Sequence, residues 1–356
     1  MLPMKYPDDI MIDNVTVGRN HPAFTIAEVG LAHDGSLGAA HAYIDSAADA
    51  GVNAVKFQTH IAAAESTPHE RFRVNVFPQD QTRYDYWTRT GFTARQWVEL
   101  ANHARERELV FLSSPFSFEA VDLLFECNVG AWKVASGEVS NLPLIKYMAK
   151  TGLPILLSSG MSSWQELDLI IDTLKKDGAP FALFQCTTAY PCPPDTWGLN
   201  VVSEMLERYN CPIGLSDHSG TVTPAIAAAT LGASLFEFHV TFHRNMFGPD
   251  VPASITFEET ATLVQALRDL KTAFNNPVDK NAQAENLSGL RDIFTKSVVT
   301  AAHLARGTVL TKANLALKKP GTGIPATEFD SIIGKRLKRD MDIDELLSWD
   351  DIENAN

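Results

Sequence analysis

From Phe24 onward the chain alternates two hydrophobic patterns. Short runs rich in β-branched and aromatic residues predict strands: FTIAEVG (24–30), NAVKFQT (53–59), LVFLSSP (109–115), AWKVAS (131–136), PILLSSG (154–160), FALFQC (181–186), PIGLSDH (212–218) and SLFEFHV (234–240). Between them lie longer stretches with apolar residues at helical spacing, such as GAAHAYIDSAADAG, LPLIKYMAKTG and PAIAAATLGA, and FEETATLVQALRDLKTAF follows the last run. Several of these stop at a glycine just before the next strand, as helix C-caps do. Eight strand–helix units ending near Phe274 predict an α/β fold, a (β/α)8 TIM barrel over residues 1–274. An open doubly wound sheet fits less well, because no GxGxxG follows the first strand.

Beyond the barrel the pattern changes twice. NNPVDKNAQAENLSGLR, residues 275–291, is polar and loses its period, which predicts a linker. Residues 292–356 carry short alternating runs and the turn-rich GTGIP, which predict a small, mostly β domain. Within the barrel, the stretch from His60 to Gly91 is too long and too rich in charge and aromatic residues for a passive connection, and predicts a cover over the active site.

Composition narrows the function class. The 356 residues are 45% hydrophobic and 21% charged, enough apolar material for a large core. A net charge of −13 argues against nucleic acid or an anionic membrane as partner, so any anionic substrate must be held by local cations. The start, MLPMKYPDDIMIDN, lacks the basic and apolar regions of a signal peptide, and no apolar run is long enough to span a bilayer; the expected location is cytoplasmic. Cys127, Cys186, Cys192 and Cys211 show neither CxxC spacing nor scaffold density and read as buried thiols.

The candidate chemistry sits where the strands run out, the face on which barrels place their active sites. Glu28 ends the first strand; the second carries Lys56 and Gln58; the third ends on Ser114; the fourth gives Lys133, Ser136 and then Glu138. Thr188 and Tyr190 follow the sixth, Ser216 and His218 end the seventh, and Glu237 and His239 lie in the eighth. Any one of these, alone, reads as a cap or turn residue; so many at one end of one barrel do not. Neighbouring strands would set His218 beside His239, where two imidazoles and water could hold a divalent metal, or where the rings could simply bond each other in the core. Lys56 and Lys133 near the mouth point either to a bound anion or to structural ion pairs with Glu28 or Glu138. Asp250, in a Gly-Pro-Asp turn beyond the eighth strand, could aim a carboxylate over the mouth. Glu237 could be catalytic or could orient a neighbouring ligand.

Taken together, IAEVGLAHDG, AVKFQTH, SSPF, AWKVASGEVSNLPLI, LSSGM, QCTTAYP, IGLSDHSG, EFHVT and GPD, with KSVV, KKPGTGIP and IIGK in the small domain, resemble the N-acetylneuraminate (sialic acid) synthase family over nearly the whole chain. The resemblance implies a TIM barrel joined to an antifreeze-protein-like (SAF) domain, and a domain-swapped homodimer in which that domain closes the partner's barrel. It implies metal-dependent condensation of phosphoenolpyruvate with an amino-sugar aldehyde such as N-acetylmannosamine, phosphate leaving by C–O cleavage. Carried over, the metal pair falls on His218 and His239, with Mn²⁺ expected and Mg²⁺ or Co²⁺ as alternatives. The phosphoenolpyruvate site falls on Lys56, Ser114, Lys133, Ser136, Thr188 and Ser216, the sugar side on Gln58, Glu138, Tyr190 and Asp250, and the water-handling carboxylate on Glu28.

The departures from the family pattern concern the sugar. The chain has Gly30-Leu31-Ala32-His33-Asp34-Gly35 where GxNHNG is usual, His243 where an aspartate is common, and Val251 where a histidine often follows GPD. Lys319 replaces the arginine that, in the family, reaches the sugar's N-acyl group from the partner's small domain. A lysine lacks the planar fork of arginine, so this contact is altered. Three readings stay open: the N-acetylneuraminate synthase, a synthase for a legionaminic- or pseudaminic-type acid or a non-acylated sugar, and a barrel without chemistry that binds sugar or assembles.

Overall fold

The structure is a computed structural model and describes residues 9–74 and 79–353. Its central sheet consists of eight parallel strands: β1 (Phe24–Gly30), β2 (Ala54–Thr59), β3 (Val110–Pro115), β4 (Trp132–Val134), β5 (Ile155–Ser158), β6 (Phe181–Cys186), β7 (Ile213–Asp217) and β8 (Leu235–Thr241). β8 pairs with both β7 and β1, the latter in the register Leu235↔Phe24 to His239↔Glu28, so the sheet closes into the expected TIM barrel. Each strand falls on a predicted run, shortened at some ends because the terminal residues belong to turns or caps.

Strand alternation sorts the side chains. Val29, Val55, Phe57, Phe111, Trp132, Leu157, Leu183, Phe236 and Phe238 point outward into the layer shared with the helices, whose buried stripes include Tyr43, Ile44, Leu100, Leu124, Ile145, Ile170 and Leu263. The other parity faces inward, and each row changes character along its length. Phe24 and Ile26 precede Glu28; Ala54 precedes Lys56 and Gln58; Val110 and Leu112 precede Ser114; Leu156 precedes Ser158; Leu235 precedes Glu237 and His239. The interior is thus apolar at the N-terminal end and polar at the C-terminal end.

A hairpin that sequence patterning did not single out, Asp9–Ile12 with Val15–Gly18, is antiparallel and adds Ile10, Ile12 and Val17 to the apolar end of the interior. There these side chains share one apolar cluster with Phe24, Ile26, Leu112 and Leu235. At the opposite end, Ser254–Thr256 pairs in parallel with β8 and fixes the return of the chain after the Gly-Pro-Asp turn. The predicted cover is partly helical, at Ala62–Glu65 and Arg83–Thr90. Thr82 and Asp85 form a reciprocal capping box at the start of the second of these. All four cysteines are free and buried.

The chain divides into two compact units, Met1–Asn275 and Asn276–Asn356. Of the segment 275–291, read as a linker without periodicity, Asn275 ends the last barrel helix and residues 276–291 are largely helical and group with the second unit. Asp279 caps Lys280–Asn286 by accepting from the amides of Asn281 and Ala282, and Ser288–Phe294 follows. Its periodicity is hard to see because Leu287, Leu290, Ile293 and Phe294 are exposed apolar residues and the helices are short. The rest of the second unit pairs Ser297–Thr300 with Leu315–Lys318 and adds the isolated bridges Val299↔Leu346, Leu304↔Met341 and Leu337↔Ile352. These close over a core of Val298, Leu304, Leu310, Ile324, Ile332, Leu337 and Leu347.

Candidate active site

Because the polar ends of the inward rows converge, the barrel mouth encloses a cavity of about 430 Å³ lined by Glu28, Lys56, Gln58, Ser114, Lys133, Ser136, Glu138, Thr188, Tyr190, Ser216, His218 and His239. These are all but two of the predicted site residues. Asp250 lines an adjoining cavity that shares Gln58, Thr188, Tyr190 and His239 with the first. Lys319 belongs to the second unit, where it is exposed and holds its ammonium 5.1 Å from the centre of the Phe294 ring.

Two buried lysines and two buried carboxylates form the floor. Lys56 Nζ lies 2.6 Å from Glu28 Oε2, 3.9 Å from Glu237 Oε2 and 3.4 Å from Ser114 Oγ. Lys133 Nζ lies 3.4 Å from Glu237 Oε1 and donates to Ser158 Oγ at 2.5 Å. Ser216 Oγ donates to Glu237 Oε1 at 3.0 Å, and Gln58 Nε2 to Glu28 Oε1 at 3.0 Å. The ion-pair reading of the lysines therefore holds in part, with Glu28 and Glu237 as partners. Glu138, the other carboxylate considered, instead accepts from Asn141 Nδ2 at 2.9 Å.

The two carboxyls differ in state. Burial pushes Glu28 up to about 7, against the pull of Lys56. Burial would raise Glu237 as well, but Lys133 and Lys56 together more than offset it and hold this carboxyl at about 2. Burial lowers Lys133, while the carboxylates around Lys56 overcome burial and raise it. Near neutral pH, then, one carboxylate is fixed and the other is close to its midpoint. With Glu28 only partly ionised, the floor offers an arriving anion the Lys56 ammonium and, next to it, the Nζ of Lys133. The backbone at Gly160 adds to the same wall: a Cβ there would come within 2.5 Å of Thr188 Oγ1 and 2.6 Å of Ser136 Oγ, so only glycine lets these two hydroxyls approach.

The two histidines meet above this floor, their ring centres 5.3 Å apart. His218 Nδ1 is 2.9 Å from the Thr187 carbonyl and Nε2 is 3.0 Å from Tyr190 Oη. In the neutral ring the carbonyl fixes the proton on Nδ1, which leaves the Nε2 lone pair facing Tyr190 and the cavity, the arrangement typical of a ligating histidine. Burial would lower the His218 pKa, but Cys186 and the Thr187 carbonyl overcome it and raise it to about 9, so a cation would displace a proton there. Burial lowers His239 to about 4, which keeps that ring neutral with a lone pair to offer. The donor chemistry fits a first-row divalent cation with two protein ligands and the remainder from water or substrate. Among the described residues no group of three or more histidine, cysteine or acidic side chains could hold a metal.

Some lining residues were not singled out by sequence. His60 is stacked between Trp87 and Phe116, with ring centres at 3.7 and 4.2 Å. Arg73 lies 3.9 Å over the Tyr190 ring and 2.5 Å from Asp250 Oδ1. Both come from the His60–Gly91 stretch, whose length and composition were the available signal. Ser158 is found by counting two residues on from inward-facing Leu156. His33, the histidine that the Gly30–Gly35 turn shares with the usual pattern, is buried and stacked on Phe92 at 4.6 Å, lining neither cavity.

Comparison with known proteins agrees with this geometry. A family model described as the NeuB family matches residues 43–279, and one for the SAF domain matches residues 295–353. The chain is 32% identical over 331 residues to N,N'-diacetyllegionaminic acid synthase of Campylobacter jejuni, covering 90% of this chain and 98% of that one. It is 31% identical over 349 residues to the N-acetylneuraminate-9-phosphate synthase of Homo sapiens, covering 95% of each. Among solved structures, the N-acetylneuraminic acid synthetase of Leptospira borgpetersenii, in complex with citrate, superposes with a TM-score of 0.71 at 28% identity, covering 80% of this chain and 96% of that one. The spore coat polysaccharide biosynthesis protein spsE of Bacillus subtilis covers 98% of this chain and 100% of its own, with a TM-score of 0.66 at 30% identity. No helix among the described residues is long and apolar enough to cross a membrane. A closed barrel with its charged rows converging at the C-terminal mouth, followed by a SAF domain, and sequence matches to enzymes of one reaction type across both parts lead to one conclusion: the chain is an enzyme that belongs to the NeuB family of nonulosonic acid synthases.

Proposed function

We propose that the chain condenses phosphoenolpyruvate with the open-chain aldehyde of an N-acyl-hexosamine such as N-acetylmannosamine, adding one water and releasing inorganic phosphate. The observation that carries this reading is the pair of buried lysines, Lys56 and Lys133, facing one cavity beside a firmly ionised carboxylate, Glu237. A ligand with a carboxylate and a phosphate supplies the negative charge such a floor lacks. Ser114 beside Lys56, and Ser136 and Thr188 beside Gly160, provide neutral hydroxyl donors on the same walls, and Ser216 completes the set by holding Glu237. These groups sit in fixed positions before substrate arrives, so they stabilise, without reorganising, the charge that the phosphate gains when the C–O bond breaks.

His218 and His239 would hold a divalent cation, Mn²⁺ first and Mg²⁺ or Co²⁺ next. A cation held by these two residues would supply Lewis-acid polarisation of the aldehyde oxygen. Glu28, with its carboxyl near neutrality, is suited to take a proton from the water that adds at the phosphate-bearing carbon, and Gln58 and Lys56 hold its two oxygens in place. Gln58, Glu138, Tyr190 and Asp250 face the sugar. The active form is a homodimer in which the SAF domain, with Lys319, covers the partner's barrel.

The test is phosphate release from phosphoenolpyruvate in the presence and absence of sugar and cation. With ¹⁸O in the bridging position of phosphoenolpyruvate, C–O cleavage sends the label into phosphate. Release that needs no sugar, or label retained in the organic product, would sink the reading.

A further inference from the structure

The adjoining cavity, about 230 Å³, opens off the main one and shares His239, Tyr190 and Gln58 with it. A sugar whose aldehyde lies beside His239 therefore extends its far end into this space. The far wall is apolar: Leu31 and Ala32 come from the turn after β1, Phe72 and Val74 from the cover, and Val251 from the chain beyond β8. Leu31 is buried there in a small cluster with Ala62, Tyr86 and Trp87.

Two arginines also reach this cavity and at first suggest a phosphate site. Both are already matched. Arg73 is paired with Asp250 at 2.5 Å and stacked on Tyr190. Arg83 Nη1 is 3.0 Å from Glu70 Oε1, its guanidinium 4.7 Å over Trp87, and Trp87 Nε1 donates to Glu70 Oε2 at 3.2 Å. Two guanidinium groups against two carboxylates leave no net positive charge. A phosphate dianion would have to separate an arginine from its carboxylate and then sit beside the released negative charge. An apolar tip, in contrast, meets Leu31, Ala32 and Val251 with nothing to displace but water.

We infer that this side cavity selects an unphosphorylated amino sugar whose far end carries an apolar tip, a deoxy carbon or an acyl methyl, over a hexosamine phosphate. The inference rests on the condensation reading above. It assigns Leu31, Ala32 and Val251 to substrate choice; Ala32 and Val251 are two of the places where the chain departs from the family pattern.

The experiment uses the full chain with Mn²⁺ and phosphoenolpyruvate and compares N-acetylmannosamine, N-acetylmannosamine 6-phosphate and a 2,4-diacetamido-trideoxyhexose. The diacetamido sugar is expected to exceed the phosphate ester in kcat/KM by about 100-fold or more, the scale on which a site that strands charged groups rejects a substrate. Leu31→Asn and, with shape kept, Val251→Thr should lower kcat/KM for the diacetamido sugar by about 10-fold, and for N-acetylmannosamine less, because only the former fills the apolar wall. A preference for the phosphate ester overturns the inference and leaves the condensation reading intact. Equal losses on all sugars in both variants also overturn it. Turnover of none of the three removes both.

Discussion

Lys56 Nζ stands 2.6 Å from Glu28 Oε2 on the barrel floor, yet burial still holds the Glu28 carboxyl at about 7. An anion arriving beside Lys56 and Lys133 adds negative charge near Glu28 and withdraws part of the lysines' pull on it. Both effects disfavour the carboxylate and raise its pKa further. Binding of phosphoenolpyruvate between pH 7 and 8 is therefore expected to take up protons. Calorimetry in two buffers with different ionisation heats measures the number. Uptake should shrink in Glu28→Gln; proton release, or undiminished uptake in the variant, would contradict the assignment.

The Lys133–Glu237 pair separates a role in binding from a role in folding. Lys133→Met leaves Glu237 buried with Ser216 and a more distant Lys56, which should lower stability by about 3–5 kcal/mol, the usual effect of breaking a buried pair from one side. Adding Glu237→Gln removes the stranded charge and should restore most of that stability. Activity should not follow it: kcat/KM for phosphoenolpyruvate is expected to stay down by at least about tenfold in both proteins, since a buried charge contact with a ligand is worth roughly 2–5 kcal/mol. Denaturant unfolding beside steady-state kinetics checks this. Recovery of kinetics in the double variant would make Lys133 a structural residue.

The barrel and most of the site were legible because strands alternate. Once a run is known to be a barrel strand, every second residue faces inward, so Glu28, Lys56, Ser114, Glu237 and His239 are found by parity, each two residues beyond an inward neighbour on the same row. What remained hidden depended on long-range partners. That Lys133 pairs with Glu237, a residue left undecided, rather than with Glu138 is set by the positions of β4 and β8 around the closed sheet. The hairpin at residues 9–18 was missed because its two short strands precede the repeating pattern and acquire meaning only by packing Ile10, Ile12 and Val17 into the apolar end of the interior. The helices of 280–294 were missed because their apolar residues are not buried, so burial periodicity could not mark them. Arg73 carried no motif; it is recognised only by where the cover returns it, over Tyr190.

His218 and His239 set a prediction with two independent readouts. Removal of divalent ions by chelation should abolish phosphate release, and Mn²⁺, Co²⁺ or Mg²⁺ should restore it. Manganese bound to the wild-type chain, followed by paramagnetic resonance or by a rise in Tm, should be lost or weakened by at least about tenfold in His218→Ala and His239→Ala, while circular dichroism stays unchanged. Tight manganese binding with both histidines replaced would place the cation elsewhere.

Lys319 tests the proposed dimer. It is exposed in the second unit, so its effect on catalysis depends on which barrel that unit serves. His239→Ala disables a barrel; Lys319→Glu reverses the charge of a cap. In a mixed dimer with caps acting on the partner, one site combines the intact barrel with the intact cap, and the other site carries both lesions. With caps acting on their own barrel, each site carries one lesion and neither works. Random exchange makes about half of the dimers mixed, so co-refolding equal amounts of the two inactive variants should return roughly a quarter of the wild-type sites. The rate of phosphate release after exchange, normalised to mixed dimers counted by native mass spectrometry, measures this. Mixed dimers without activity would rule out action on the partner.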